Sequence, residues 1–225
     1  MGVVPHKYSL NISQLRSYRP RWPWEQFLGS SACLKWSFRD LQNLDAAIRL
    51  TPGRRCVVQA GGNLGIFPKR LAEEFDRVIT FEPDAKLFAA LKTNAWEGNI
   101  EAIRAAVGCD REPVSLSSRR RDTSGRPTHE GLTHISGPGV IPKVRIDDLA
   151  LKACDLIYLD IEGYELHALR GAVKTVERLR PVIGVEVNRN IQFYGHTAED
   201  LRGWIKSRGY RLSFAMNSDE VYVPC

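Results

Sequence analysis

Apolar and polar positions alternate along this chain with two different periods. From Asp40 the apolar residues recur at three- and four-residue spacing until Thr51-Pro52-Gly53 ends the pattern, which predicts an amphipathic helix of about three turns. A short apolar run at Cys56–Gln59 then predicts a buried strand. After a turn rich in glycine, helical spacing returns from about Gly65 to Phe75.

The same alternation continues over the rest of the chain. Further strands are predicted at Arg77–Glu82, Glu101–Val107, Leu156–Asp160 and Val182–Val187, further helices at about Ala85–Trp96, Glu165–Arg178 and Thr197–Arg208, and closing segments at Tyr210–Ala215 and Glu220–Val223. Strands that alternate with helices of this length favour right-handed crossovers between parallel strands. We therefore predict an α/β fold with a doubly wound, mostly parallel sheet.

Two regions depart from this alternation. Residues 1–39 are rich in proline, aromatic and basic residues without a clear period, which indicates an N-terminal arm or lid. Residues 111–142 form an irregular insertion rich in glycine and arginine, in which we expect short antiparallel strands. Since 225 residues suit a single domain, we predict one domain over residues 40–225, preceded by the arm.

Composition and charge narrow the classes of partner. The hydrophobic fraction of 43% and the charged fraction of 26% are typical of globular proteins, and no apolar run approaches the ~20 residues of a membrane span. We expect a cytoplasmic protein without a membrane span. The net charge of +6 favours an acidic partner. The simplest explanation of the positive charge is that the arginines lie in solvated loops. The alternative is that the protein binds nucleic acid through the basic arm and Arg119–Arg121.

Ligands of doubly wound sheets bind at the carboxyl ends of the strands. The first strand is followed by the turn Gly61-Gly62-Asn63-Leu64-Gly65, whose small residues let a ligand approach the backbone. A glycine turn alone is weak evidence, because glycines also serve tight connections. The second strand ends in Glu82, at roughly the 20-residue offset where an acid meets the ribose of an adenine cofactor. Because the fingerprint G-x-G-x-x-G is absent, S-adenosylmethionine fits better than a dinucleotide.

Several segments, taken together, resemble the FkbM-type methyltransferases. They are VVQAGGNLGIF, VITFEPDAKLFAALKTN, IRAAVG, VRIDDL, CDLIYLDIEGYELHALRGAVKTV and RPVIGVEVN. The resemblance covers roughly Asp40 to Tyr210 and implies a Rossmann-like class I methyltransferase fold with a seven-stranded sheet. It also implies S-adenosylmethionine as methyl donor and a hydroxyl on a sugar or other small molecule as acceptor.

The resemblance also assigns site residues. The cofactor candidates are Gln59, Gly61, Gly62, Asn63, Gly65, Glu82, Pro83, Ala105, Ala106 and Asp160, and Asp160, Glu162 and Glu165 match the acidic block of the family. Two positions depart from the family. Gln59 stands where the family usually has an acidic residue, and that acidic residue helps to order the methionine end of the cofactor. Tyr158 stands where a lysine commonly precedes the acidic block.

Methyl transfer to a hydroxyl needs a group that takes up the hydroxyl proton. Asp160 closes a strand, and Glu162 would point to the same face if the extended geometry continued. We name Asp160, Glu162, Glu186 and His134 as catalytic candidates. The alternatives are that Glu162 caps the next helix and that His134 is a solvent-facing loop residue.

Three further hypotheses stay open. Asp160, Glu162, Glu186 and Asn188 could hold magnesium, which some O-methyltransferases use, although we favour a base without metal. An RNA methyltransferase is the alternative enzyme, but the D-P-P-Y block of base methyltransferases is absent. A degenerate fold that serves as a binding subunit is supported by Gln59 alone. The oligomeric state is not predicted.

Overall fold

The structure, a computed structural model, describes residues 31–118 and 133–225. The strands there are β1 (Val57–Ala60), β2 (Val78–Phe81), β3 (Ile100–Ile103), β4 (Ala106–Val107), β5 (Val114–Ser118), β6 (Thr133–Pro138), β7 (Lys143–Val144), β8 (Leu156–Leu159), β9 (Val182–Glu186), β10 (Tyr210–Met216) and β11 (Asp219–Pro224). The α-helices are α1 (Ser31–Leu50), α2 (Ile66–Ala72), α3 (Ala85–Asn94), α4 (Glu165–Arg170), α5 (Val173–Leu179) and α6 (Ala198–Lys206). Two 3₁₀ helices cover Ile146–Leu149 and Arg189–Tyr194.

Seven strands form the main sheet in the order β10-β11-β9-β8-β1-β2-β3. β1 pairs in parallel with β2 on one side and with β8 on the other, so the strand order reverses at β1. β11 is antiparallel to both of its neighbours, β9 and β10, and the other pairs are parallel. The predicted α/β fold with a doubly wound, mostly parallel sheet is confirmed, and the sheet has the seven strands that the resemblance implies.

Helices cover both faces of the sheet, which is why β1 and β8 are buried along their whole length. Successive side chains of a strand point to opposite faces. Val57 therefore packs with Leu41 of α1 and Leu71 of α2, whereas Val58 packs with Leu166 of α4 and Leu201 of α6. The two layers hold the central strands fixed, so the turns at their carboxyl ends are positioned by a packed core.

Three elements differ from the sequence-based expectation. α1 begins at Ser31 rather than Asp40. Residues 31–39 contain neither proline nor glycine, so the helix extends toward the N-terminus beyond the residues that show the helical spacing of apolar positions. The strand predicted over Glu101–Val107 is split, since β4 leaves the main sheet to pair with β7. The helix predicted over Glu165–Arg178 is interrupted at Gly171, where an added Cβ would lie 1.9 Å from the carbonyl oxygen of Gly108.

The predicted insertion contains an antiparallel pair, β5 with β6, as expected. The rest of the insertion, with Arg119–Arg121, and residues 1–30 of the predicted arm lie outside the described residues. Among the helices of the described ranges, none is long and apolar enough to span a membrane.

A buried polar network joins α1 to two strands of the sheet. The hydroxyl of Tyr158 donates to Asp219 Oδ1 over 2.8 Å, and Asn43 Nδ2 donates to Asp219 Oδ2 over 2.6 Å. All three residues are buried, and burying a carboxylate is costly unless it accepts hydrogen bonds. Tyr158, which stands where the family commonly has lysine, therefore serves this network as a neutral donor.

We expect Tyr158→Phe to lower the free energy of unfolding by about 1–3 kcal/mol, because it takes one donor away from the buried carboxylate of Asp219. Urea denaturation followed by circular dichroism measures this change. Leu212→Ala, at an exposed position on β10, is the control and should change stability by less than about 0.5 kcal/mol. Equal stability of the Tyr158 variant and the control would contradict the assigned role of the network.

Candidate functional site

The glycine turn lies between the ends of β2 and β8. The backbone N–H groups of Gly61 and Gly62 both donate to the carbonyl oxygen of Phe81, over 3.1 and 2.8 Å. Gly61 has a φ of 85°, and an added Cβ would lie 1.8 Å from the carbonyl oxygen of Asp160. Only glycine combines this left-handed conformation with so close an approach. The turn thereby places the end of β1 directly against Asp160.

The side chain of Gln59 stabilises this turn through hydrogen bonds to its backbone. Its side chain is fully buried, and its Nε2 donates to the carbonyl oxygens of Ala60 and Gly61 over 3.1 and 2.9 Å. Its Oε1 accepts a hydrogen bond from the hydroxyl of Thr80. An amide nitrogen has two hydrogens, and both are used here. Any influence of Gln59 on a ligand would therefore act through the shape of the turn.

Glu82 closes β2 on the other side of the turn. Its Oε2 accepts from the backbone N–H of Asn63 over 2.7 Å, and its Oε1 accepts from the N–H of Asp84 over 2.9 Å. Burial raises the pKa of Glu82 to about 7, although these two bonds oppose the rise. Each carboxylate oxygen can accept about two hydrogen bonds, so both retain capacity for a hydroxyl donor.

The other cofactor candidates lie near this carboxylate. The N–H groups of Glu82 and Ala105 donate to the same carbonyl oxygen, that of Ile103, over 3.2 and 3.0 Å. Ala105 and Ala106 are buried, and Pro83 is partly exposed. The structure thus brings the predicted cofactor residues of three strand ends together around the turn.

Three carboxyl groups meet at the ends of β8 and β9. Oxygens of Asp160, Glu162 and Glu186 all lie within 4.8 Å of one another. Glu162 reaches this cluster by a different route from the one predicted, because its φ of 57° is left-handed rather than extended. The chain turns there since Gly163, with a φ of 96°, packs against the backbone of Asn190. Asn190 Nδ2 then donates to Glu162 Oε2 over 2.7 Å.

Glu165 holds the turn that carries Glu162. Its side chain is fully buried, and its Oε1 accepts from the backbone N–H groups of Ile161 and Gly163 over 3.0 and 3.2 Å. The hypothesis that Glu162 caps α4 is wrong, because the N-cap residue is Tyr164 and no side chain caps the helix. Glu165, in the first turn of α4, satisfies the preceding backbone groups instead.

The acidic cluster favours protonated carboxyl groups. Removal from water raises the pKa of Asp160, and repulsion from Glu186 raises it further. The pKa of Glu186 is raised by burial and then by the charges of Glu162 and Glu165, while a hydrogen bond with Asp160 opposes this shift. Burial and mutual repulsion thus both disfavour the charged forms of Asp160 and Glu186.

Asn188 faces the cluster with its amide nitrogen. Its Nδ2 donates to Glu186 Oε2 over 2.6 Å, and its Oδ1 accepts from the N–H of Asn190 over 2.8 Å. This oxygen caps the 3₁₀ helix Arg189–Tyr194, so Asn188 does not present the oxygen that a magnesium ligand needs. The three carboxyl groups keep the spacing of a cation site.

His134 lies on β6 against the 3₁₀ helix Arg189–Tyr194. Its ring centroid is 6.2 Å from that of Phe193, and the hydroxyl of Tyr194 donates to the carbonyl oxygen of Ile135 over 3.3 Å. Sequence analysis missed Asn190 and Phe193, because the segment RNIQFY has neither a helical nor a strand period. Their position after the carboxyl end of β9 was the signal that could have found them.

The methyltransferase FkbM domain model matches residues 63–212, which is more than half of the chain. The protein is therefore a member of the FkbM methyltransferase family. None of the curated proteins matches its sequence.

Two solved structures show the same fold. The methyltransferase FkbM of Methylobacillus flagellatus KT is 17% identical, with a TM-score of 0.51 over 95% of this chain. This chain spans only 58% of that protein. The precorrin 8W decarboxylase of Methanobacterium thermoautotrophicum is 11% identical, with a TM-score of 0.53 over 91% of this chain and 100% of that one. The fold is that of the Rossmann-like class I methyltransferases.

The close packing of Gly163 predicts the effect of a methyl group there. An added Cβ would lie 2.4 Å from the carbonyl carbon of Asn190, so Gly163→Ala should lower the free energy of unfolding by more than about 1 kcal/mol. Gly203→Ala is the matched control, because Gly203 lies in α6 and has nothing within 4 Å of its added Cβ. That change should stabilise the protein by about 0.4–1 kcal/mol.

Chemical denaturation of both variants tests this contrast. If Gly163→Ala were as stable as Gly203→Ala, the turn that carries Glu162 would not be fixed against the 3₁₀ helix as the structure has it.

Proposed function

We propose that this protein transfers a methyl group from S-adenosylmethionine to a hydroxyl group of a sugar or another small acceptor. The observation that carries the proposal is the cluster of carboxyl oxygens of Asp160, Glu162 and Glu186, which lie within 4.8 Å of one another and which the contact of Asp160 with Gly61 places beside the glycine turn. When bound, S-adenosylmethionine supplies an electrophilic methyl group on a positively charged sulfur. The chain itself must then hold the cofactor, place the acceptor and remove one proton.

The turn at Gly61 and the carboxylate of Glu82 are suited to hold the cofactor. Glu82 is 5% exposed, and its oxygens can each accept a further bond from a ribose hydroxyl. Hydrogen bonds to the charged form of a carboxyl group lower its pKa. We therefore expect ribose binding to favour the ionised form of Glu82.

The pair Asp160–Glu186 is suited to receive the acceptor proton. A carboxyl group with a raised pKa is a stronger base than an ordinary one, and a base acts best when its pKa lies near the working pH. In the proposed reaction the acceptor oxygen gains the methyl group, and its proton passes to the ionised member of the pair. Asn188, which donates to Glu186, orients the carboxyl group that receives it.

The same three carboxyl groups could instead hold a divalent cation, which would lower the pKa of an acceptor hydroxyl. We favour the base, because Asn188 directs its amide nitrogen toward Glu186, whereas a magnesium site is built from oxygen ligands. A chelator distinguishes the two mechanisms, because it would remove a bound cation but would not affect a carboxylate base.

Glu82→Ala should weaken S-adenosylmethionine binding by roughly 10- to 100-fold, because a charged acceptor of two hydroxyl bonds is lost. The wild-type affinity should rise with pH from 6 to 8 and then level off. The direction of this change follows from the raised pKa of Glu82, about 7. Below that pH, Glu82 must lose a proton before it can accept hydrogen bonds from both ribose hydroxyls. Isothermal titration at several pH values measures both effects.

The control is Glu177→Ala, at an exposed position on α5, which should leave the affinity unchanged. Wild-type affinity in a folded Glu82→Ala protein would show that Glu82 does not hold the cofactor.

Asp160→Asn and Glu186→Gln should each lower kcat by about 10²–10⁴-fold, the usual contribution of a general base. S-adenosylmethionine affinity should change by much less. The acceptor is a methyl glycoside that the wild-type protein methylates, and the rate of S-adenosylhomocysteine release at saturating acceptor gives kcat. The wild-type kcat should rise with pH as the pair ionises, and Glu186→Gln should lose this rise.

Addition of EDTA should leave the wild-type rate unchanged. A rate abolished by EDTA and restored by magnesium would assign the three carboxyl groups to a cation, and an undiminished kcat in both variants would remove them from the reaction.

A further inference from the structure

Two buried polar side chains face each other at the carboxyl ends of β1 and β2. The parallel register places Gln59 opposite Thr80 and, two residues earlier, Val57 opposite Val78. Both valines belong to the apolar core. Since successive residues of a strand alternate between the two faces, Gln59 and Thr80 continue this apolar layer with polar groups. Both are fully buried, so their polar atoms need hydrogen-bond partners within the protein.

The amide of Gln59 is held in one orientation by its partners. Its Nε2 donates to the carbonyl oxygens of Ala60 and Gly61 over 3.1 and 2.9 Å. If the amide were rotated by half a turn, its oxygen would meet these two carbonyl oxygens, and none of the three atoms could supply a hydrogen. The partners therefore determine which end of the amide faces the turn, and the other end, Oε1, is directed toward Thr80.

The hydroxyl of Thr80 completes a directed chain of hydrogen bonds. It donates to Oε1 of Gln59, and the nitrogen of the same amide donates to the turn. Because the bonds at the two ends of an amide polarise it in the same direction, each strengthens the other. Thr80 also lies next to the turn itself, since an added Cβ on Gly62 would be 2.9 Å from its Oγ1.

The amide of Gln59 also lies where the chains that leave β1 and β8 meet. The carbonyl oxygen of Ala60 accepts from the N–H of Asp160 over 3.1 Å as well as from Gln59. Gly61, the second acceptor, is the residue whose added Cβ would lie 1.8 Å from the carbonyl oxygen of Asp160. Loss of the amide would therefore remove a hydrogen bond from both residues that contact Asp160.

We propose that Thr80 is a positioning residue for cofactor binding. Its hydroxyl orients the amide of Gln59, and the amide fixes the carbonyl groups of Ala60 and Gly61 in the turn that receives S-adenosylmethionine. This inference rests on the proposed function and adds to it a residue that acts through another, since Thr80 itself is fully buried. Neutral donors and acceptors thus hold the turn at the position where the family usually has an acidic residue.

Thr80→Val tests the role of the hydroxyl, because valine keeps the branched shape of the side chain and is favoured in strands. The buried Oε1 of Gln59 loses its donor, so the turn is held less firmly and cofactor binding must first order it. We expect the dissociation constant of S-adenosylmethionine, measured by isothermal titration, to rise about three- to tenfold. Thr80→Ser keeps the hydroxyl and should bind within about twofold of the wild type.

A double-mutant cycle shows whether Thr80 acts through Gln59. Gln59→Leu removes the amide and should itself weaken binding. In that protein the hydroxyl of Thr80 has no amide to orient, so the addition of Thr80→Val should change the dissociation constant by less than about twofold. Tyr158→Phe is the matched control, because it also removes a buried hydroxyl from a central strand but leaves the bonds of Gln59 in place. Its affinity should equal that of the wild type.

Amide hydrogen exchange tests the same role without any cofactor. The N–H groups of Gly61 and Gly62 donate to the carbonyl oxygen of Phe81, and they exchange when the turn opens. We expect both to exchange about tenfold faster in Thr80→Val than in the wild type. In Tyr158→Phe, which does not loosen the turn, their exchange should stay unchanged.

Wild-type affinity in a folded Thr80→Val protein would overturn the proposal, as would an equal loss of affinity when Gln59→Leu is already present. Weak binding by Thr80→Ser would assign the effect to the shape of the side chain and would also overturn it. If the wild-type protein binds no S-adenosylmethionine, the proposed function fails. Exchange at Gly61 and Gly62 then still decides whether Thr80 holds the turn, so the two failures are distinguishable.

Discussion

The whole site depends on the contact between Gly61 and the backbone of Asp160. β1 lies between β2 and β8 where the strand order reverses, and the chains that leave β1 and β8 touch without room for a side chain. Because this contact fixes the two turns to each other, Glu82 on one side and the carboxyl pair on the other have a defined separation. A reaction that joins a cofactor to an acceptor needs such fixed placement.

Neutral donors hold the carboxyl groups at these strand ends. Glu165 and Glu82 accept backbone N–H groups, and Glu186 and Glu162 accept bonds from asparagine amides. Neutral donors do not cancel the charge, so burial raises the pKa of Glu82, Glu186 and Asp160, and repulsion from neighbouring carboxyl groups adds to each rise. The same arrangement that fixes the turns therefore favours the protonated forms of these groups.

Sequence reasoning predicted those features that depend on local pattern. The alternation of periods gave the parallel sheet, and the residues that follow each strand gave the glycine turn, Glu82 and the acidic cluster. It failed where a distant contact decides the local conformation. The helix break at Gly171 depends on Gly108, and the left-handed turn at Glu162 depends on packing against Asn190. Asn190 and Phe193 have no periodic signal, since a short 3₁₀ helix carries them.

Gln59 illustrates why a departure from a family pattern needs the structure for its interpretation. As a sequence feature it was the only support for a degenerate fold. In the structure its nitrogen donates to the carbonyl oxygens of Ala60 and Gly61, which an ionised acid could not do, because a carboxylate only accepts hydrogen bonds. Glutamine therefore suits this particular turn, and its presence gives no reason to infer a lost cofactor site.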